Sequence, residues 1–232
     1  MSTDEPTEET IAGALRDVGR QLHAREVREE VRADVLAHLH AIDDLLAGGE
    51  RRLRWYEMPE GEATRRSNRQ LSTFSGRLNT VAPPMSVRSG TLADGRPALL
   101  ASVRLDRRYE GPPRAVHGGI MAGMFDELLG GGQRLNGGPP GMTGRLTVRY
   151  RRPTPLDTDL ELRAWIHDER EGRVTVKAEC VVAEDGADDS RAAVTAEADA
   201  IFLRVDFERL ERNLAQRASG ETPGTAPRQD PM

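Results

Sequence analysis

Cysteine is nearly absent from this chain of 232 residues, which contains Cys180 alone. A single cysteine cannot form a disulfide within the chain and does not favour a cysteine-based metal site. The sequence also lacks any run of roughly 18 apolar residues, the length that a membrane-spanning helix needs. Its first ten residues have neither the basic nor the apolar segment of a secretory signal. We therefore expect a soluble cytoplasmic protein without a membrane span.

A charge excess of one sign is also missing. The chain has 33 basic and 38 acidic residues, which are interspersed, and a net charge of -5. Without a basic patch there is no electrostatic case for nucleic-acid binding. Hydrophobic residues make up 37% of the chain and are scarcest at its two ends, so the folded domain is predicted in the middle.

An apolar stripe with steps of three and four residues begins at Ile11 and predicts amphipathic helix. A phase slip between Leu22 and Val27 leaves open one long helix or two in series. Thr7 or Thr10 is expected to cap its start, and Gly48-Gly49 to end it. Two interpretations remain open: a helix for dimerisation or a partner, and a helix lying on the surface of its own domain.

The middle of the chain combines segments in which apolar and polar residues alternate with one segment of helical periodicity. The Asp94-Gly95 pair predicts a hairpin, and a helix is expected from Gly118 to about Gln133, broken by the glycines at 130–132. The helix is apolar on more than one face, so we expect a sheet wrapped around it. This pattern predicts an α+β fold with an antiparallel sheet, one central helix and a helical N-terminal extension. The predicted strands are 85–92, 97–105, 143–152, 159–168, 173–183 and 191–205.

The run His117, Gly118, Gly119, followed on the helix by Asp126, is the strongest candidate site. Glycines let a ligand approach the backbone closely, and a helix start presents unpaired N–H groups and a positive dipole end. Such a start suits a carbonyl oxygen that becomes an oxyanion. An acid on the same helix can act as base or nucleophile.

Each candidate also has a purely structural interpretation. For His117 we favour a helix cap over proton transfer. A carboxylate at Asp126 is costly to bury on an apolar helix unless it is paired or functional, and the alternative is an ion pair with an arginine. Glu127 points about 100° away from Asp126 and is expected to face solvent or an interface. Thr143 falls on the polar face of its strand by simple alternation, and Cys180 is expected in the core.

Two segments together resemble a known family. They are VHGGIMAGMFDELLG, with six residues between the glycines and Asp126, and MTGRLTVRYRRPTPL, with an aromatic residue before basic residues and proline at 150–153. Over roughly residues 74–206 the sequence resembles the hotdog-fold acyl-CoA thioesterases of the PaaI and THEM4-like group. The final predicted strand, AEADAIFLRV, is similar to the last strand of that fold.

The resemblance implies hydrolysis of an acyl-CoA thioester to a free acid and CoA, with no cofactor and no metal. The N–H of Gly119 would bind the thioester oxygen, and Asp126 would activate water or attack the carbonyl. Thr143 would help to place the water. In this family the site lies across a dimer interface, which implies a homodimer or a dimer of dimers. A distance of about 10 Å along the helix between Gly119 and Asp126 agrees with that need for two chains.

Three further expectations complete the sequence analysis. The polar face of the strand at 143–152 suggests Arg149 and Arg151 as contacts for CoA phosphates, with a solvated strand face as the alternative. The neighbouring Arg152 is a third candidate for the same contacts. We expect an extension at 1–73, a hotdog domain at 74–206 and a disordered tail at 207–232. The rival function is a non-catalytic, regulatory acyl-CoA-binding module. The long loop at 130–141 departs from the family pattern and leaves the acyl chain undetermined.

Overall fold

The helices and strands follow the predicted order. The computed structural model describes residues 7–53, 57–59, 61, 68–83, 85–139, 141–170, 172–182 and 193–204, so the predicted tail lies outside the described residues. Its helices are α1 Glu8–Ala24, α2 Arg32–Ala47 and α3 Gly118–Gly132. Its strands are β1 Ser86–Thr91, β2 Pro97–Arg104, β3 Gly141–Tyr150, β4 Asp159–Arg170, β5 Arg173–Val182 and β6 Ala193–Arg204.

The six strands form one antiparallel sheet in the order β1-β2-β4-β5-β6-β3. Asp94-Gly95 makes the predicted hairpin between β1 and β2, where Gly95 has a positive φ of 83°, a conformation that glycine adopts without strain. α3 packs on one face of the sheet. The predicted α+β fold, a sheet wrapped around a central helix, is confirmed.

Strand alternation separates the two faces of this sheet. Leu162 on β4, Val176 on β5 and Ala198 on β6 belong to the core beneath α3. The intervening residues, such as Trp165 and Lys177, lie on the outer face. Cys180 is fully buried in the core, as predicted, and burial raises the pKa of its thiol to about 11.

The glycines at 130–132 do not break the central helix, so that expectation was wrong. α3 continues through Gly132, which is buried, and the helix ends at Gln133. A Cβ on Gly132 would lie 3.1 Å from Cγ1 of Val176, and one on Gly131 would lie 2.8 Å from Cδ1 of Leu99. The glycines therefore let the last turn of α3 approach the sheet closely.

A β-bulge in β3 changes which face Thr143 occupies. Thr143 pairs with Phe202, whereas Arg145 pairs with Ile201, so Gly144 is the extra residue. Simple alternation placed Thr143 on the same face as Arg145. That placement was wrong, because the bulge turns Thr143 towards the face that carries α3.

The N-terminal stripe forms two helices in series. Thr7 caps α1 and makes a reciprocal pair of hydrogen bonds with Thr10, and Gly48 caps the end of α2, as predicted. α1 lies on its own domain, with Ala12 buried and the guanidinium of Arg16 donating to the carbonyl oxygens of three residues between α1 and β1. These acceptors are Gly76 at 3.3 Å, Asn79 at 3.1 Å, and Arg77. No residue of α2 is buried.

Candidate active site

The loop before α3 builds the first half of the candidate site. His117 is the N-cap of the helix, and its Nδ1 accepts a hydrogen bond of 3.0 Å from the N–H of Gly119. The predicted capping role of His117 is therefore observed. Its own N–H donates to the carbonyl of Tyr109 at 2.8 Å, which fixes the backbone where the helix begins. An acceptor Nδ1 carries no proton, so a neutral imidazole holds its proton on Nε2.

Tyr150 on β3 holds the same turn from the other side. Its hydroxyl donates to the carbonyl oxygen of Gly118 at 2.7 Å. A Cβ on Gly118 would lie 3.2 Å from that hydroxyl oxygen, so only glycine leaves room for this approach without displacing the ring. The aromatic residue of the second sequence segment thus contacts the first segment directly, a contact that the sequence analysis did not predict.

Asp126 and Thr143 form the second half of the site. Oγ1 of Thr143 donates to Oδ1 of Asp126 at 3.1 Å, a contact made possible by the bulge at Gly144. Asp126 is exposed in the single chain, because it lies on the side of α3 that its own sheet does not cover. Within one chain the Asp126 carboxylate therefore carries no burial cost. Among the described residues, no ion pair to an arginine engages Asp126.

Glu127 has a different role from the one expected. It is half-buried, and its carboxylate faces the segment that precedes β1. Its carboxylate accepts hydrogen bonds from the hydroxyls of Ser72 and Ser75 and, at 2.9 Å, from the N–H of Phe74. Nothing in the sequence pattern indicated this contact, because its partners lie more than fifty positions away.

Two of the three predicted phosphate contacts, Arg149 and Arg151, lie at the outer face of the sheet, which α3 and Asp126 do not share. Arg149 lines a cleft of about 430 Å³ on the outer face of the sheet, together with Trp165 and Lys177. Arg151 makes an ion pair of 2.7 Å with Glu197, which also lines that cleft. Arg152 is exposed beyond the end of β3. His117, Gly118, Gly119 and Asp126 all lie on α3 or at its start, and Thr143 contacts Asp126. Within one chain, Arg149 and Arg151 lie towards the outer face of the sheet instead.

Comparisons with known proteins agree with this architecture. Residues 114–189 match the model of a family described as the thioesterase superfamily. One matched crystal structure is that of a thioesterase superfamily protein. Its sequence is 26% identical to this chain, its TM-score is 0.67, and the match covers 87% of this chain and 97% of that chain. Residues 74–232 are 159 of the 232 residues, less than the 87% that is covered, so the similarity extends into residues before 74.

Two more distant structures are also matched. The Escherichia coli PaaI protein from the phenylacetic acid degradation operon is 12% identical, with a TM-score of 0.44, and covers 53% of this chain and 80% of that chain. Thioesterase superfamily member 2 from Mus musculus is 12% identical, with a TM-score of 0.42, and covers 52% and 88%. Separately, none of the described helices has the length and apolar content that crossing a membrane requires.

Proposed function

We propose that this chain, which matches the thioesterase superfamily model over residues 114–189, hydrolyses an acyl-CoA thioester to a free acid and CoA. The observation that carries the proposal is the Thr143–Asp126 hydrogen bond of 3.1 Å. This bond puts a carboxylate and a hydroxyl side by side on the exposed side of α3. The same helix begins with His117, Gly118 and Gly119.

Asp126 acts as the general base in this proposal. Its carboxylate removes a proton from a water molecule that Thr143 helps to place. The water oxygen bonds to the thioester carbon, and the carbonyl electrons move onto the oxygen. Collapse of this intermediate breaks the C–S bond, and the CoA thiolate leaves and receives a proton from Asp126. Direct attack by the Asp126 carboxylate, followed by hydrolysis of the anhydride, uses the same residue as a nucleophile.

The N–H of Gly119 holds the developing oxyanion, and it must first exchange its partner. In the structure that N–H donates to Nδ1 of His117. An anionic oxygen is a stronger acceptor than a neutral ring nitrogen, so the exchange favours the transition state over the free enzyme. His117 and Gly118 fix the position of this N–H, and the carbonyl of Gly118 is held in turn by Tyr150.

Two chains are needed to complete such a site. Gly119 and Asp126 are separated by seven positions, or about 10 Å along one helix, so one reacting carbon cannot touch both within a chain. β3, which carries Thr143, is an edge strand of the described sheet, and Asp126 is exposed beside it. These features support a dimer in which Asp126 of one protomer faces Gly119 of its partner.

A thiol-release assay tests the activity. Purified protein is incubated with CoA esters of short, long and aromatic acyl groups, and free CoA thiol is measured. We expect turnover with at least one acyl class. If no ester is hydrolysed while calorimetry shows tight binding of the same esters, the protein is the regulatory binding module instead. Arg149, Arg151 and Arg152 remain candidates for CoA phosphate binding, from either protomer.

A further inference from the structure

An aromatic side chain from outside the sheet lies against the catalytic helix. Phe74, in the segment between the N-terminal helices and β1, is packed on Gly123 of α3. A Cβ placed on Gly123 would lie 2.0 Å from Cζ of Phe74 and 2.6 Å from both of its Cε atoms. The tip of the ring therefore occupies the space that any other residue at position 123 would fill.

This contact lies within one helical turn of Asp126. Residues three positions apart lie on the same side of a helix, so the ring at Gly123 flanks the side of α3 that carries the carboxylate. On the other flank is Thr143, which is polar. Phe74 is thus a large, half-buried apolar group beside the proposed catalytic base.

Two sets of hydrogen bonds hold Phe74 in this position. Glu127 accepts from the N–H of Phe74 at 2.9 Å and from the hydroxyls of Ser72 and Ser75. Arg16 on α1 binds the carbonyl oxygens immediately after them. The segment is tied to α3 at one side and to α1 at the other, so the backbone that carries the ring is held on both sides.

We propose that Phe74 forms one wall of the acyl-binding site and limits the size of the acyl group, so that short acyl chains are preferred. This inference rests on the proposed function, because it assumes that the thioester carbon lies at Asp126. A carbon held there has two substituents to place, the CoA sulfur and the acyl chain. The acyl chain needs apolar surface, and Phe74 supplies it while closing the space beyond Gly123. Glu127 acts through Phe74 as a positioning residue.

The test compares Phe74→Ala with the wild-type chain. kcat/KM is measured for acetyl-CoA, butanoyl-CoA, octanoyl-CoA and dodecanoyl-CoA. One methylene in an apolar pocket changes the discrimination between two substrates by about 10-fold or more. We therefore expect kcat/KM for octanoyl-CoA, divided by kcat/KM for butanoyl-CoA, to be at least about 10-fold higher in Phe74→Ala than in the wild-type chain. Leu71→Ala, an exposed leucine of the same segment, is the matched control and should leave the ratio unchanged.

Two further variants distinguish a Phe74 that limits the acyl chain from a Phe74 that only stabilises the fold. Glu127→Gln keeps the shape of the side chain but weakens its hydrogen bonds, and should shift the ratio in the same direction by a smaller factor. Phe74→Leu keeps an apolar group, remains available if the alanine variant does not fold, and should give an intermediate ratio. An unchanged ratio in folded Phe74 variants, or an equal loss for every ester, would overturn the proposal.

The outcomes for this proposal and for the proposed function are distinct. Failure of the wild-type chain to hydrolyse any ester contradicts the thioesterase. Calorimetric dissociation constants for the same four esters then still test Phe74, because a wall limits binding with or without turnover. A chain-length preference in binding that survives Phe74→Ala would contradict the wall, whatever the activity.

Discussion

Three successive glycines in one helix allow a graded test of the packing between α3 and the sheet. A Cβ on Gly130 would have no neighbour within 4 Å, whereas one on Gly131 would meet Cδ1 of Leu99 at 2.8 Å. On Gly132 it would lie 3.1 Å from Cγ1 of Val176 and 3.5 Å from the Cβ of Ala164. An alanine would therefore project into open space at position 130, towards the end of a flexible side chain at 131, and against closely packed side chains of the sheet at 132.

The expected free energies follow from these contacts. Gly130→Ala should stabilise the protein by about 0.5–1 kcal/mol, because alanine has the higher helix propensity. Gly132→Ala has the same gain in helix propensity but overpacks the core at a cost of about 1–3 kcal/mol, so it should be about 1–3 kcal/mol less stable than Gly130→Ala. Gly131→Ala should be close to neutral, because the end of Leu99 can move.

Urea unfolding followed by circular dichroism measures the series, with thermal unfolding as a second readout. For a chain of this size, 1 kcal/mol corresponds to about 2–4 °C in Tm. Gly130→Ala is the matched control for any general effect of alanine in this turn. If Gly132→Ala is as stable as Gly130→Ala, the close approach of α3 to Val176 is not the reason for the glycine.

Other predictions concern the site, the outer face and the core. Thr143→Val should lower kcat about 10-fold through loss of one hydrogen bond to Asp126, while Thr143→Ser restores it. Arg151→Ala should mainly raise KM for CoA esters; an effect confined to kcat would contradict phosphate binding. Cys180 should resist a thiol reagent at pH 8 until urea unfolds the chain, and labelling of the folded protein at the unfolded rate would disprove its burial. Because the pKa of the Cys180 thiol is raised to about 11 in the folded state from 9.0, the unfolded chain loses its proton first, and stability should fall as pH rises from about 9 to 11.

Local patterns carried most of the fold prediction. The alternation in β3 to β6, the Asp94-Gly95 turn and the apolar surface of α3 all act over a few neighbouring residues, so the sequence reveals them directly. The Thr7 cap and the helix end at Gly48 are of the same kind. The glycines at the end of α3 predicted a break in the helix because glycine lowers helix propensity, whereas the close packing of Gly132 on Val176 outweighs that local preference.

Contacts between distant segments account for what the sequence analysis missed. The bulge at Gly144 depends on the pairing of β3 with β6, and alternation within β3 gives no sign of it. The hydrogen bonds of Glu127 to Ser72, Phe74 and Ser75 join segments that are over fifty residues apart. The bond from Tyr150 to Gly118 also crosses between segments, although both residues lie in the two family-like motifs.

The most direct test of the proposed mechanism is the turnover of Asp126→Asn on the ester that the wild-type chain hydrolyses best. The amide keeps the shape of the side chain but cannot accept the proton of the attacking water. Asp199→Asn, on the outer face of the sheet, is the matched control. We expect Asp126→Asn to reduce kcat by at least about 100-fold while circular dichroism remains unchanged. Near-normal turnover in a folded Asp126→Asn protein would contradict the account.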